Sequence, residues 1–260
     1  TPKERMTLRI ILIRIEALQS KISPMLAFKF HVKVQDGDQS RINQDLPDKI
    51  SIKGVTLREI SEKMGAAKGY YAVSNYKGSH ALFQQAFEAL HGTLEQNYKI
   101  QELRIDCLYY LAMSACKIKK CVQAYHWAER AIAMIQTLPK DQILYKAKIL
   151  AVFGLIAQEL DQLVQAIDYF RNANNLFASI QGEQHSEKKI LDYLSALCLQ
   201  KLNRREEALS YFSELLTMKG ISLTEKEEYW YRIGSIYSEM GKYEQAVEAL
   251  EKSLGYMKLQ

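Results

Sequence analysis

Along most of this chain apolar residues recur three and four positions apart, the interval at which one face of an α-helix is buried. Trp230, Ile233 and Tyr237 follow it, and so do Ala246, Leu250 and Leu254 after a break at Gly241. Only 4 prolines and 12 glycines interrupt the 260 residues, so the pattern predicts long helices joined by short turns. The first fifth differs. Met6 to Ile22 has helical spacing and is followed by Pro24, which predicts one amphipathic helix. Leu26, Phe28, Phe30, Val32 and Val34 then alternate with less apolar residues. That stretch reads either as a half-exposed strand or as a helix resuming to about Gln35. Asp36-Gly37-Asp38 is a turn signal, residues 36–49 read as an exposed loop, and Ile50, Ile52 and Gly54 as the start of a short return strand.

A longer period lies over the helical one. Small residues stand at Ala67, Ala112, Gly154, Ala196 and Gly234, spaced 45, 42, 42 and 38 residues apart. A second row of small residues accompanies them at Ser79, Ala124, Ala166, Ala208 and Ala246. A bulky residue follows the second row one turn later in four of the five cases: Phe83, Phe170, Phe212 and Leu250. Two antiparallel helices come close only where the side chains at their crossing are short, so this double row predicts five helix pairs. Capping signals agree with the register. Thr56-Leu57-Arg58-Glu59 and Thr224-Glu225-Lys226-Glu227 read as capping boxes, Ser186 as an N-cap, and Leu138-Pro139 as a helix end.

Trp230, Ile233, Gly234, Tyr237, Ala246, Leu250 and Ser253 together resemble the tetratricopeptide repeat pattern W-x2-L-G-x2-Y…A-x3-F-x2-A. The resemblance extends over residues 56–260, in units longer than the usual 34 residues. It implies an all-α fold, a right-handed superhelical solenoid of about five helix pairs. The units are expected at approximately 56–92, 100–138, 143–180, 186–219 and 224–260. Residues 1–55 are expected to form a distinct segment, a helix with the short β-hairpin as an alternative.

Composition narrows the functional classes. Formal net charge is +5 with 25% charged residues and no dense Lys/Arg run, which gives nucleic-acid binding little support. No hydrophobic stretch is long enough for a membrane span. Cys107, Cys116, Cys121 and Cys198 lack metal-ligand spacing and are expected to be reduced thiols, which places the chain in the cytoplasm or another reducing compartment. There is no G-x-S-x-G, H-E-x-x-H or phosphate-binding glycine loop, and His126 beside Trp127 reads as a helix residue rather than a base. No enzymatic activity, cofactor or metal is expected.

The resemblance implies a non-enzymatic scaffold or adaptor that binds a protein or peptide segment on the first helices of the units. In this sequence's register the contact positions include Met64, Lys68, Tyr71, Tyr109, Met113, Leu155, Gln158, Tyr193, Leu197, Gln200, Tyr231 and Ser235. The stripe is mostly apolar and aromatic, which suits a binding surface and equally suits a core. No asparagine and no paired Lys/Arg set stands there, so the carboxylate clamp of chaperone-binding relatives is not expected. Two alternatives stand beside the scaffold. One is a peptide-responsive regulator of the bacterial quorum-sensing type. The other is a DNA-binding regulator, since residues 56–78 resemble a helix-turn-helix phrase. At the C-terminal edge Leu250, Leu254 and Met257 are expected to be partly exposed, and to be covered by further chain, a second copy or a partner.

Overall fold

The computed structural model describes residues 51–52, 55–91, 98–136, 143–180 and 185–259. The expected helix at Met6–Ile22, the ambiguous stretch 26–34, the loop 36–49 and the Leu138-Pro139 stop lie outside them. The described residues fall into two compact units, 51–180 and 185–259.

The first unit opens with β1 (Ser51–Ile52) and β2 (Val55–Thr56), paired antiparallel with Ile52 opposite Val55. The described strand at Ser51–Ile52 thus pairs with the segment that leads into the first helix, while Ile50 and Gly54 of the expected return strand lie outside the described residues. Three helix pairs follow: α1 (Leu57–Ala72) with α2 (Tyr76–His91), α3 (Tyr98–Lys117) with α4 (Cys121–Gln136), and α5 (Ile143–Glu159) with α6 (Leu163–Ala178). The second unit holds α7 (His185–Lys201) with α8 (Arg205–Thr217), then α9 (Leu223–Glu239) with α10 (Tyr243–Met257). The fold is an all-α helical-repeat solenoid.

The two rows of small residues form the seams of the pairs. Ala67, Ala112 and Ala196 are fully enclosed, as are Ser79, Ala124, Ala166, Ala208 and Ala246. Where the inner residue is glycine, the opposite helix fills the space left by the missing Cβ. A Cβ on Gly154 would lie 2.4 Å from Cε1 of Phe170, and one on Gly234 would lie 2.6 Å from Cγ of Leu250.

The turn inside each pair is one motif used five times. Ser74, Lys119, Asp161, Asn203 and Gly241 all have φ between 59° and 74°, the left-handed region. They repeat at the same 45, 42, 42 and 38 residue intervals as the inner small residues. The next amide in each case reaches back five residues, as Lys120 N donates to the Ala115 carbonyl at 2.8 Å and Gln162 N to the Ala157 carbonyl at 2.8 Å. This is the Schellman closure, which favours glycine at the left-handed position. Four of the five turns adopt it without glycine. Ser74→Gly is therefore expected to stabilise the first unit by about 0.5–1 kcal/mol, relief of left-handed strain outweighing the added freedom of the unfolded chain. A shift of the urea midpoint to higher concentration checks this.

Thr56 caps α1 as the sequence predicts, its Oγ1 accepting from Glu59 N at 3.2 Å while Glu59 Oε2 accepts from Thr56 N at 2.7 Å. Three local expectations are corrected. The capping box of α9 is Ser222 with Glu225, two residues ahead of the expected one, with Ser222 Oγ accepting from Glu225 N at 3.2 Å. Glu227 is enclosed and cannot fold back as a cap, whereas Glu225 is half-exposed in the first turn. Helix α7 already begins at His185, so Ser186 lies inside its first turn. At the C-terminal edge Leu250 is fully enclosed, because it packs over Gly234, whereas Leu254 and Met257 are partly exposed as expected.

The helix-turn-helix expectation for residues 56–78 is also corrected. Helix α1 runs unbroken from Leu57 to Ala72 through Gly65, and the first turn comes at residues 73–75. A helix-turn-helix would place Leu57–Met64 and Ala67–Tyr71 in separate helices, but here they share one. Ala67 and Tyr71 are buried there because the repeat seam needs them.

Candidate functional site

Each unit carries its own row of first helices. In residues 51–180 the expected contact residues divide by exposure. Met64, Tyr71, Tyr109, Met113 and Leu155 are at most 5% exposed, while Lys68 and Gln158 are half-buried. The two aromatic members, Tyr71 and Tyr109, both pack against Tyr110. Tyr71 packs edge-on against Tyr76 at 5.1 Å and Tyr110 at 5.9 Å, and Tyr109 packs edge-on against Tyr110 at 5.0 Å. Phe83 stacks on Tyr110 at 4.7 Å. Burial raises the Tyr71 and Tyr110 phenols above their ordinary range. Lys68 closes this cluster, its Nζ 3.3 Å from Asp106 Oδ2 and 5.3 Å from the Tyr110 ring centre.

Lys117, at the end of α3, is a further titrating group on this row. Burial, the main cause, brings its ammonium down to about 8, against opposing attraction from Cys116 and Glu159. Between about pH 8 and the ordinary lysine value of 10.5 the folded state holds fewer protons than the unfolded one, so this group adds stability as pH rises through that window. Lys117→Met is expected to raise the melting temperature at pH 7, and by less at pH 10. Equal gains at both pH values would contradict the assignment. Burial pushes the neighbouring Cys116 thiol up to about 12, and in the 185–259 unit burial pushes Cys198 up to about 11.

In residues 185–259 the expected contact residues are all half-buried: Tyr193, Leu197 and Gln200 on α7, with Tyr231 and Ser235 on α9. Their helices turn Ala196 and Gly234 into the seams with α8 and α10, so these five stand elsewhere on each helix. The two helices are tied by polar contacts. Tyr193 Oη donates to Glu228 Oε1 at 2.8 Å, and Arg232 Nε donates to the same oxygen at 2.7 Å. Lys189 Nζ lies 2.7 Å from Glu225 Oε1, and Gln200 Nε2 donates to Glu239 Oε1 at 3.0 Å. Lys188 pairs with the buried Asp192. Burial alone would raise the Glu225 carboxyl, but hydrogen bonds from Lys189 and Ser222 hold it below its ordinary value.

Glu228, Arg232, Lys189 and Glu225 were not among the expected contacts. The spacing of Glu228 and Arg232 at i and i+4 was legible in the sequence, but the pairing of Glu228 with Tyr193 joins residues 35 apart and needs the fold. Among the described residues no group of three or more His, Cys, Asp or Glu is arranged to hold a metal, and no helix is long and apolar enough to cross a membrane.

Comparison with known proteins leads to the same architecture. The tetratricopeptide repeat family matches residues 227–256, within α9 and α10. None of the curated proteins matches the chain. Among solved structures the chain is similar to BtubC (BKLC) from P. vanneervenii, with a TM-score of 0.65 and 13% identity, over 78% of this chain and 81% of that one. It is also similar to a putative kinesin light chain with nearly identical TPR-like repeats from Podosopora anserina, with a TM-score of 0.59 and 15% identity, over 77% of this chain and 96% of that one. At such identities the likeness concerns the fold. With the family's pattern at its last pair, and the same kind of seam and turn repeated through both units, the chain carries a tetratricopeptide repeat at residues 227–256 within an all-α helical-repeat fold.

Proposed function

We propose that this protein is a non-enzymatic interaction module that grips a segment of a protein partner on the first helices of its repeats. The supporting observation is the half-exposed row Tyr193, Leu197, Gln200, Tyr231 and Ser235 on two helices whose other sides are sealed into the repeat seams. Tyrosines held in place by neighbours present large contact area at small entropic cost, and polar residues among them fix the orientation of a bound backbone. Residues 51–180 contribute mainly stiffness by this reading, because their aromatic members are enclosed and Lys68 is paired with Asp106, while Gln158 stands at a half-buried position.

Site-specific photocrosslinking tests the reading. A photoreactive side chain at Leu197 or Ser235 of the full chain is expected to capture a partner from source extract, which mass spectrometry identifies. The same group at Val164, which is 56% exposed on a second helix, is expected to capture none of that partner. Equal capture from all three positions would reject the face. Tyr193→Ala is expected to weaken the captured interaction.

A further inference from the structure

A second candidate surface lies on the second helices of the first two pairs, apart from the row above. Phe87 and His91 at the end of α2, Arg130, Ala133 and Met134 on α4, and Arg104 of α3 line a pocket of about 420 Å3. That size falls within the range of about 300–1,000 Å3 found for small-ligand sites. Arg104 forms its inner wall, with Nε and Nη2 donating to the Leu90 carbonyl at 3.1 and 2.7 Å, so that it caps the end of α2.

Arg130 carries the inference. Its guanidinium lies 4.9 Å from the Phe87 ring centre and 5.2 Å from the Trp127 ring centre, and those two rings meet edge-on at 5.8 Å. Among the described residues Arg130 forms no ion pair, although it is exposed on a helix. An arginine laid on two rings has lost most of its side-chain freedom before any ligand arrives, and its N–H edge stays open to a planar acceptor. Among the described residues the lining contains Arg104, Arg130 and His91 with no acid, and its remaining walls are apolar.

We propose that this pocket binds an acidic peptide segment, with a carboxylate paired to Arg130 and an adjacent apolar side chain seated between Phe87 and Met134. The charge of the lining selects an anion, and the fork geometry of a stacked guanidinium matches a carboxylate. Phe87, Ala133 and Met134 add what a bare inorganic anion would leave unused, contact with an apolar group, and a methionine adapts readily to its shape. The site is independent of the first-helix row, so loss of one leaves the other intact.

Trp127 reports on it directly. In the full chain with Trp230→Phe, Trp127 is the sole tryptophan. Titration with the peptide acetyl-Glu-Leu-Glu-Phe-amide is expected to give a saturable change in its emission. Binding is expected to weaken about tenfold or more when both glutamates of the peptide become glutamine, and by a similar factor in Arg130→Gln. Arg130→Lys keeps the charge but loses the fork, and is expected to fall between. Val164→Ala, at an exposed position outside both surfaces, is expected to bind as the parent does. Thermal melts check that each variant is folded; Arg130→Lys keeps the test valid if Arg130→Gln is not. No saturable change with the acidic peptide, equal binding of the glutamine peptide, or unaltered binding by folded Arg130 variants would overturn the proposal. So would inorganic phosphate binding as tightly as the acidic peptide, since the apolar walls would then contribute nothing.

Discussion

Gly154→Ala is expected to lower the stability of the 51–180 unit by about 2 kcal/mol, while Gly65→Ala raises it by about 1 kcal/mol. Both glycines are inside helices, and alanine is the better helix former by about 1 kcal/mol at either place. Packing decides the sign. A Cβ at Gly65 meets nothing within 4 Å, so only the helical preference acts. At Gly154 it would lie 2.4 and 2.5 Å from two ring carbons of Phe170, a side chain that is itself fully enclosed. The ring cannot swing aside without displacing its own neighbours, and overpacking of this kind costs about 1–3 kcal/mol beyond the helical gain. Phe170→Leu should recover part of the loss in the Gly154→Ala background while destabilising the parent. Urea unfolding of the four combinations gives the coupling between the two positions. Additive effects would mean that the seam is looser than the distances imply.

The second large effect is expected at Glu228. Glu228→Ala should destabilise the 185–259 unit by about 2–3 kcal/mol, whereas Glu228→Gln should cost clearly less. The Glu228 side chain is only 9% exposed and accepts from both Tyr193 Oη and Arg232 Nε. Removing it leaves the half-buried Tyr193 phenol and a cation without this acceptor. Stranding one partner of a fully buried pair costs about 3–5 kcal/mol. The Arg232 side chain is 33% exposed, and water at that side moderates the loss. Glutamine still offers one carbonyl oxygen, so the phenol keeps its bond. Arg232→Met in the Glu228→Ala background should restore stability, since the unpaired charge is then gone. Calorimetric melts of the single and double variants check this. A Glu228→Ala chain as stable as the parent would show that Tyr193 and Arg232 find other acceptors.

The register of the repeats was legible in the residues because short side chains are obligatory where two helices cross. Ala67, Ala112, Gly154, Ala196 and Gly234 mark one side of the seams and Ser79, Ala124, Ala166, Ala208 and Ala246 the other. The left-handed turns then repeat at the same intervals, although four of the five lack the glycine that would have announced them. The start of α9 was misplaced because two overlapping Ser/Thr-x-x-Glu phrases compete there. Burial of Glu227 settles which one caps, and burial cannot be read from four residues. The helix-turn-helix phrase at 56–78 failed for a related reason. A glycine inside a helix can mark a break or merely an open place on the surface, and Gly65 is the second.

Taken by itself, the order of residues determined that this chain is a stack of helix pairs, where the pairs fall, and that their first helices carry an aromatic row. Those properties follow from local periodicity and from side-chain size at a crossing, both of which are carried by neighbouring positions. The tertiary structure alone decided that Tyr71 and Tyr109 are enclosed while Tyr193 and Tyr231 are half open, and that Arg130 lies over the rings of Phe87 and Trp127. Exposure and pairing depend on how closely successive helices approach, a distance set by every seam residue together and by no single segment of the chain.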